Sequence, residues 1–274
     1  MAFRGSLASG AASPRRADSA FRRDRVVVLA ALAGLTLVSW LYILQMGRTP
    51  ASPALARRLG MGLVLSCCGV DLWATFLMWM VMMVGMMVPS AAPMVLTFAA
   101  MNRRRRERGG PGLSTAAFLL GYVMAWTVFS ALAAVAQWAL FRASLLNPHS
   151  QTVTPWVAGV ILVFAGAFQL SPAKSACLMH CRSPLGFFLG HWQDGPLGAL
   201  RMGLRHGTLC IGCCWLLMAL LFVAGVMNLL WVAAIAAYVL AEKVLPWGRG
   251  IARLGAAACF VAAAALVARH IGSP

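Results

Sequence analysis

Five of the chain's eight cysteines fall between Cys177 and Cys214, in two short blocks, Cys177-Leu178-Met179-His180-Cys181 and Cys210-Ile211-Gly212-Cys213-Cys214. Thiolates three and four residues apart, with His180 and His206 close by, are the donors a soft or borderline metal ion takes. Ser171-Pro172 is a helix start and Pro184 a stop, which puts Cys177, His180 and Cys181 at i, i+3 and i+4 on one face. Further on, Met202, His206, Cys210, Cys214 and Met218 recur every four residues, and His206, Cys210 and Cys213 lie within a ~60° arc if the helix is continuous. A single cysteine is as well explained as a small buried hydrophobe. Five with two histidines at helical spacing point instead to metal or redox chemistry.

A second set of soft donors lies upstream. From Met78 to Met87 the chain carries six methionines in ten residues. Met78, Met82 and Met86 advance by four and form one slowly turning stripe, with Met83, Met87 and Met94 near the opposite side. Thioethers are neutral, so they suit Cu(I) and can sit in hydrocarbon without a charge penalty. The plainer alternative is that methionine is a flexible apolar filler between helices. Pro89 and Pro93 free backbone carbonyls in the same segment. Glu242-Lys243 brings charge to the end of another apolar run. It reads either as an internal ion pair with Lys174 or Arg205, or as a hard ligand or proton carrier beside the thiols. Cys67 and Cys68 are adjacent and cannot easily form an unstrained mutual disulfide, leaving a second metal site or no role. Cys259 reads as core packing.

The elements that must position these residues are membrane helices. The chain has 274 residues, is 61% hydrophobic, and repeats apolar runs of about the ~20 residues that cross a bilayer. The expected fold is an all-α polytopic transmembrane bundle of about seven spans: Val26–Met46, Leu72–Ala99, Thr115–Leu140, Val153–Leu170, Gly207–Val226, Asn228–Leu245 and Ile251–Ala268. Residues 1–25 read as a disordered basic arm, 26–270 as a single transmembrane domain, and 171–206 as a loop carrying the first cysteine block. Ala54-Leu55-Ala56 resembles a signal-peptide cleavage site, but the preceding apolar run is too long, so the first span is expected to stay.

The formal net charge of +17 would suggest nucleic acid in a soluble protein. Here the basic residues fall in short connections, where they orient the chain in the bilayer, so no nucleic-acid partner is expected. Alternate compartments collect 18 and 5 Lys and Arg. The N-terminus and the cysteine loop are therefore expected on the cytoplasmic side of a bacterial inner membrane. That compartment is reducing, which argues against structural disulfides.

The methionine run from Trp79 to Met94 resembles that of a bacterial family of integral membrane proteins known as domain of unknown function 2182 (DUF2182) and described as predicted metal-binding. So do Pro172-Ala173-Lys174, the stretch from Cys177 to Pro184, Gly198 to Gly207, Cys210 to Met218, Gly225 to Asn228, and Glu242-Lys243. The resemblance spans Leu72 to Leu266. Lys174, Cys177, Cys181, Arg182, Gly207, Cys210, Cys213, Cys214, Trp215, Met218, Met227 and Glu242 stand at its motif positions, whereas His180, Cys67 and Cys68 do not. The resemblance implies a metal site and leaves the physiological role open.

The expectation is a membrane protein that handles metal, Cu(I) first and zinc second, by delivery, sequestration or transport. Its candidate ligands are Cys177, Cys181, Cys210, Cys213, Cys214, Met218, His180, His206, Met78, Met82, Met86 and Glu242. Expected partners are the lipid bilayer and a metal chaperone or a metalloenzyme being assembled; nothing in the sequence sets an oligomeric state. No phosphate-cradling glycine-rich loop is present, which argues against ATP-driven pumping. Binding is preferred to catalysis, and no catalytic residue is assigned. Two alternatives stand: a membrane thiol oxidoreductase using the same cysteines, and an assembly factor with a structural metal site.

Overall fold

Helix starts in this chain are written in its capping residues. Asp71 accepts from the backbone N–H groups of Trp73 and Ala74, Ser114 from Ala117, Ser171 from Lys174 and Asn228 from Trp231. The computed structural model describes residues 14–48, 65–66, 69–110, 114–147 and 151–271; Cys67 and Cys68 lie outside them. The elements are α1 (Pro14–Arg48), the antiparallel pair β1 (Leu65–Ser66) and β2 (Gly69–Val70), α2 (Leu72–Glu107), α3 (Thr115–Arg142), α4 (Pro155–Gln169), α5 (Pro172–Arg182), α6 (Pro184–His191), α7 (Pro196–Ala224), α8 (Leu229–Val244) and α9 (Gly248–Ile271).

The architecture is an all-α bundle, as expected. Among the described residues five helices are long and apolar enough to cross a membrane: α1, α2, α3, α7 and α9. Helices α4 and α5 form a pair bent by 63°, which makes up to six if they count as one broken span. The expected spans Val153–Leu170 and Asn228–Leu245 are the two that come up short. Their helices have 15 and 16 residues, or roughly 23 and 24 Å against ~30 Å of hydrocarbon.

Two boundaries differ from the sequence reading. Helix α1 begins at Pro14, inside the stretch expected to be a disordered arm. Proline suits a first helical position, and the Ala- and Arg-rich sequence that follows has no glycine before Gly34. Helix α7 begins at Pro196 rather than Gly207, so the expected loop 171–206 is two short helices and the first turns of a long one. Arg201 and Arg205 look like a span boundary in a hydropathy profile. They stand exposed on one face of α7, while Met202, Gly203, His206 and Gly207 are buried on the other.

Helix α2 is the most buried span and α1 and α9 the least, so α2 lies inside the bundle. Helices α3 and α7 meet backbone to backbone. A Cβ on Gly203 would overlap the carbonyl oxygen of Phe118, one on Gly121 that of Leu200, and one on Gly207 would lie 2.5 Å from the Cβ of Ala125. Small residues permit this approach, and it sets the register in which Tyr122 faces Cys210. Between α1 and α2, Pro89 has no N–H to offer the carbonyl of Gly85, and the Trp40 indole N–H donates to that oxygen instead, at 3.2 Å.

Candidate metal centre

Cys210, Cys213 and Cys214 lie mid-helix in α7 and are buried to within 1%. The predicted helix from Pro172 forms as α5, capped by Ser171, and brings Cys181 close to Cys210 and Cys213. Cys177, half-buried, rests its sulfur against Gly212, 3.0 Å from where a Cβ would stand. Around Cys210 Sγ the hydrogen-bond partners come from two other helices. The Lys243 ammonium of α8 donates to it at 2.9 Å, and the Tyr122 hydroxyl of α3 lies at 3.2 Å. Lys243 also donates to Ser90 Oγ of α2 at 3.0 Å, and Ser90 and Tyr122 both donate to the carbonyl of Met87, at 2.8 and 3.1 Å. Met87 Sδ lies 4.0 Å from Cys214 Sγ.

Glu242 and Lys243 are neighbours that face different ways, as residues ~100° apart on a helix must. Glu242 takes the Lys174 ammonium at 2.5 Å, with the two side chains 2% and 1% exposed. Lys174 also donates to Gln169 Oε1, and Gln169 Nε2 donates to the Tyr238 hydroxyl at 2.6 Å. Arg182 adds a bond to the carbonyl of Leu245 at 2.5 Å. These bonds tie α5 to α8 and hold the first cysteine block against the second. Of the two readings of Glu242, the geometry is that of the ion pair, and Lys174 rather than Arg205 is the partner.

An aromatic layer covers the thiols on the side of the Arg103–Arg108 run. Phe98 stacks on Phe118 at 4.8 Å and Trp192 at 5.6 Å, and Phe188 packs against Phe98 and Phe118. His206 stacks on Tyr122 at 5.4 Å, with the Phe187 ring edge-on at 5.8 Å. Outside the layer, Arg105 sits over Trp192 and pairs with Asp194 at 2.9 Å.

The expected ligands therefore divide. Cys181, Cys210, Cys213 and Cys214 come together, Cys177 stands at their edge, and Met218 is buried one turn beyond Cys214. His206 is 3% exposed, one turn before Cys210, and its Nδ1 has no hydrogen-bond partner among the described residues. His180 does not join them: it is exposed, with Nδ1 2.9 Å from the Ala176 carbonyl. His180 and Cys181 lie ~100° apart on the helix, and the face that packs on α7 carries the cysteines. Met78, Met82 and Met86 are buried on α2. Sequence reasoning missed Lys243 as the cation at Cys210, together with Tyr122 and Ser90, and did not single out Met87 among the soft donors of its segment. Their signal was an intramembrane lysine and a buried tyrosine, neither of which names its partner.

Among the described residues no group of three or more His, Cys, Asp or Glu stands ready to hold a metal ion. Cys213 and Cys214 donate their S–H to the carbonyl of Cys210, at 3.1 and 2.9 Å, rather than converging on a point. Side-chain rotation is needed to gather them. By type the donors fit a soft ion: four thiols, a thioether at 4.0 Å, and the orphaned nitrogen of His206.

A helical bundle with several spans fit to cross a membrane, enclosing a sulfur-rich interior, defines a class of polytopic α-helical proteins. The chain belongs to the PpoB2 family, described as copper chaperone, which matches residues 76–266. No curated protein and no solved structure matches it.

Proposed function

We propose that the protein carries Cu(I) as cargo in a bacterial inner membrane, on the sulfurs of Cys181, Cys210, Cys213 and Cys214 with Met87. It passes the ion to an acceptor, a soluble metal chaperone or a metalloenzyme under assembly. The carrying observation is the Lys243 ammonium 2.9 Å from Cys210 Sγ inside the bundle. Glu242 is engaged by Lys174, so Lys243 has a sulfur rather than a carboxylate as acceptor. With two of the four thiols deprotonated and two kept as S–H, Cu(I) and its ligands have net charge −1, and Lys243 offsets it, so no net charge is left in the apolar interior. Zn(II) on four thiolates has net charge −2 and would remain uncompensated by one ammonium. Cys177, His206 and Met218 flank this set. We take the resemblance to domain of unknown function 2182 as the same family under another description.

The test is copper binding by anaerobically purified protein in competition with a Cu(I) chelator. Wild type binds stoichiometric copper; Cys210→Ser weakens it by more than ~10-fold, and Cys259→Ser leaves it unchanged. A wild type without stoichiometric copper, whose thiols cycle with a quinone instead, would replace this reading with the oxidoreductase.

A further inference from the structure

At the opposite end of α2 from its arginine run, a small cavity of about 10 Å³ is lined by Met78 and Met82 of α2, Tyr42 and Ile43 of α1, Val226 and Met227 of the α7–α8 connection, and Leu229 and Val232 of α8. Three methionines from two separate segments line one space. Gly225 brings the third there: its φ of 96°, open to glycine at no steric cost, ends α7 and turns the chain back toward α2. Met78 and Met82 are 2% exposed, while Met227 is partly exposed and stands at the mouth.

Methionine is flexible enough to fill irregular gaps, yet three of them surround one that stays open. The space is about that of one water-sized probe, but a buried water needs two to four polar partners, and among the described residues Tyr42 is the only lining side chain with a hydroxyl. Thioethers offer soft, uncharged donors that a univalent soft cation accepts and a hard one does not.

The same face of α2 leads inward. Met78, Met82, Met86 and Ser90 follow at four-residue intervals, all buried, and Ser90 Oγ accepts from Lys243 beside Cys210. From Met82 to Ser90 is roughly 12 Å along the helix. Cavity and thiols are therefore joined by one stripe, with Met86 between them. The aromatic layer of Phe98, Phe118, Phe188 and Trp192 closes the other end.

We propose that Met78, Met82 and Met227 form a second, thioether-only site that takes Cu(I) from the side of the membrane opposite the Arg103–Arg108 run and feeds it toward the thiols. This deepens the copper-carrying reading and rests on it. A neutral sulfur set binds more weakly than thiolates, which suits a site that must release its ion onward.

Ag(I), a univalent soft cation that does not cycle between oxidation states, is the probe, titrated into the protein in lipid nanodiscs. With Cys177, Cys181, Cys210, Cys213 and Cys214 all replaced by serine, the chain retains about one Ag(I). Adding Met78→Leu, Met82→Leu and Met227→Leu, which conserve apolar volume, weakens it by more than ~10-fold. No Ag(I) on the serine background, or unchanged binding in the leucine variant, overturns the second site. If the serine background does not fold, Met227→Leu in the wild-type chain gives the same decision: binding falls from about two Ag(I) to about one, and no change overturns the proposal. Failure of the thiol reading is distinct, since it appears as undiminished copper in Cys210→Ser.

Discussion

Replacing Glu242 by glutamine separates the two roles open to this carboxylate. The change keeps an oxygen acceptor for Lys174 and removes the charge. Glu242 and Lys174 are 2% and 1% exposed and 2.5 Å apart, so no water can replace the lost partner. Breaking a buried pair on one side costs about 3–5 kcal/mol, because the other charge is left uncompensated. Gln169 still accepts from Lys174, and the glutamine oxygen keeps one hydrogen bond, so the lower end, about 3 kcal/mol, is expected. For a chain of this size each kcal/mol shifts the melting midpoint by roughly 2–4 °C, which gives a fall of about 6–12 °C. The assay is thermal unfolding in detergent beside copper titration at a temperature where the variant is folded. Lys174→Met combined with Glu242→Leu, which removes both charges, recovers most of the loss. Full thermal stability in Glu242→Gln together with lost copper binding would refute the ion-pair reasoning and make Glu242 a ligand.

Two further outcomes follow from the packing. Gly203→Ala places a Cβ on the Phe118 carbonyl, so it lowers the melting temperature sharply, whereas Gly159→Ala, with nothing within 4 Å, stays within about 1 kcal/mol of wild type or stabilises it; equal melting curves would refute the α3–α7 seam. A cytoplasm-only reporter inserted at Gly109–Gly110 gives a signal and one inserted after Asn147 gives none, because five arginines cluster between Arg103 and Arg108; the reverse pattern would invert the orientation and with it the loading side.

The local code of this chain was legible because it is short-range. Apolar runs and period identified the helical class, Ser171 with Pro172 marked the start of α5, and four-residue spacing put Cys210, Cys214 and Met218 on one face of α7. Residue type alone carried the soft-donor chemistry, since sulfur at helical spacing means the same thing before and after folding. Span ends were less legible. A hydropathy window averages over all faces of a helix, so Arg201 and Arg205 looked like a boundary where the helix merely presents them outward.

Which residue meets which was decided only by the tertiary structure. His180 and Cys181 are neighbours in sequence, but only one can face α7, and the Lys174–Glu242 pair selects the cysteine side. Lys243 reaches Cys210 across 33 positions because Gly121, Gly203 and Gly207 let α3 and α7 touch, which fixes the rotation of α7 against α2 and α8. Met227 joins Met78 and Met82 only through the turn at Gly225. A periodic pattern fixes the angle of a side chain about its own helix axis; it carries no information on the neighbouring axis, and contacts across helices depend on both.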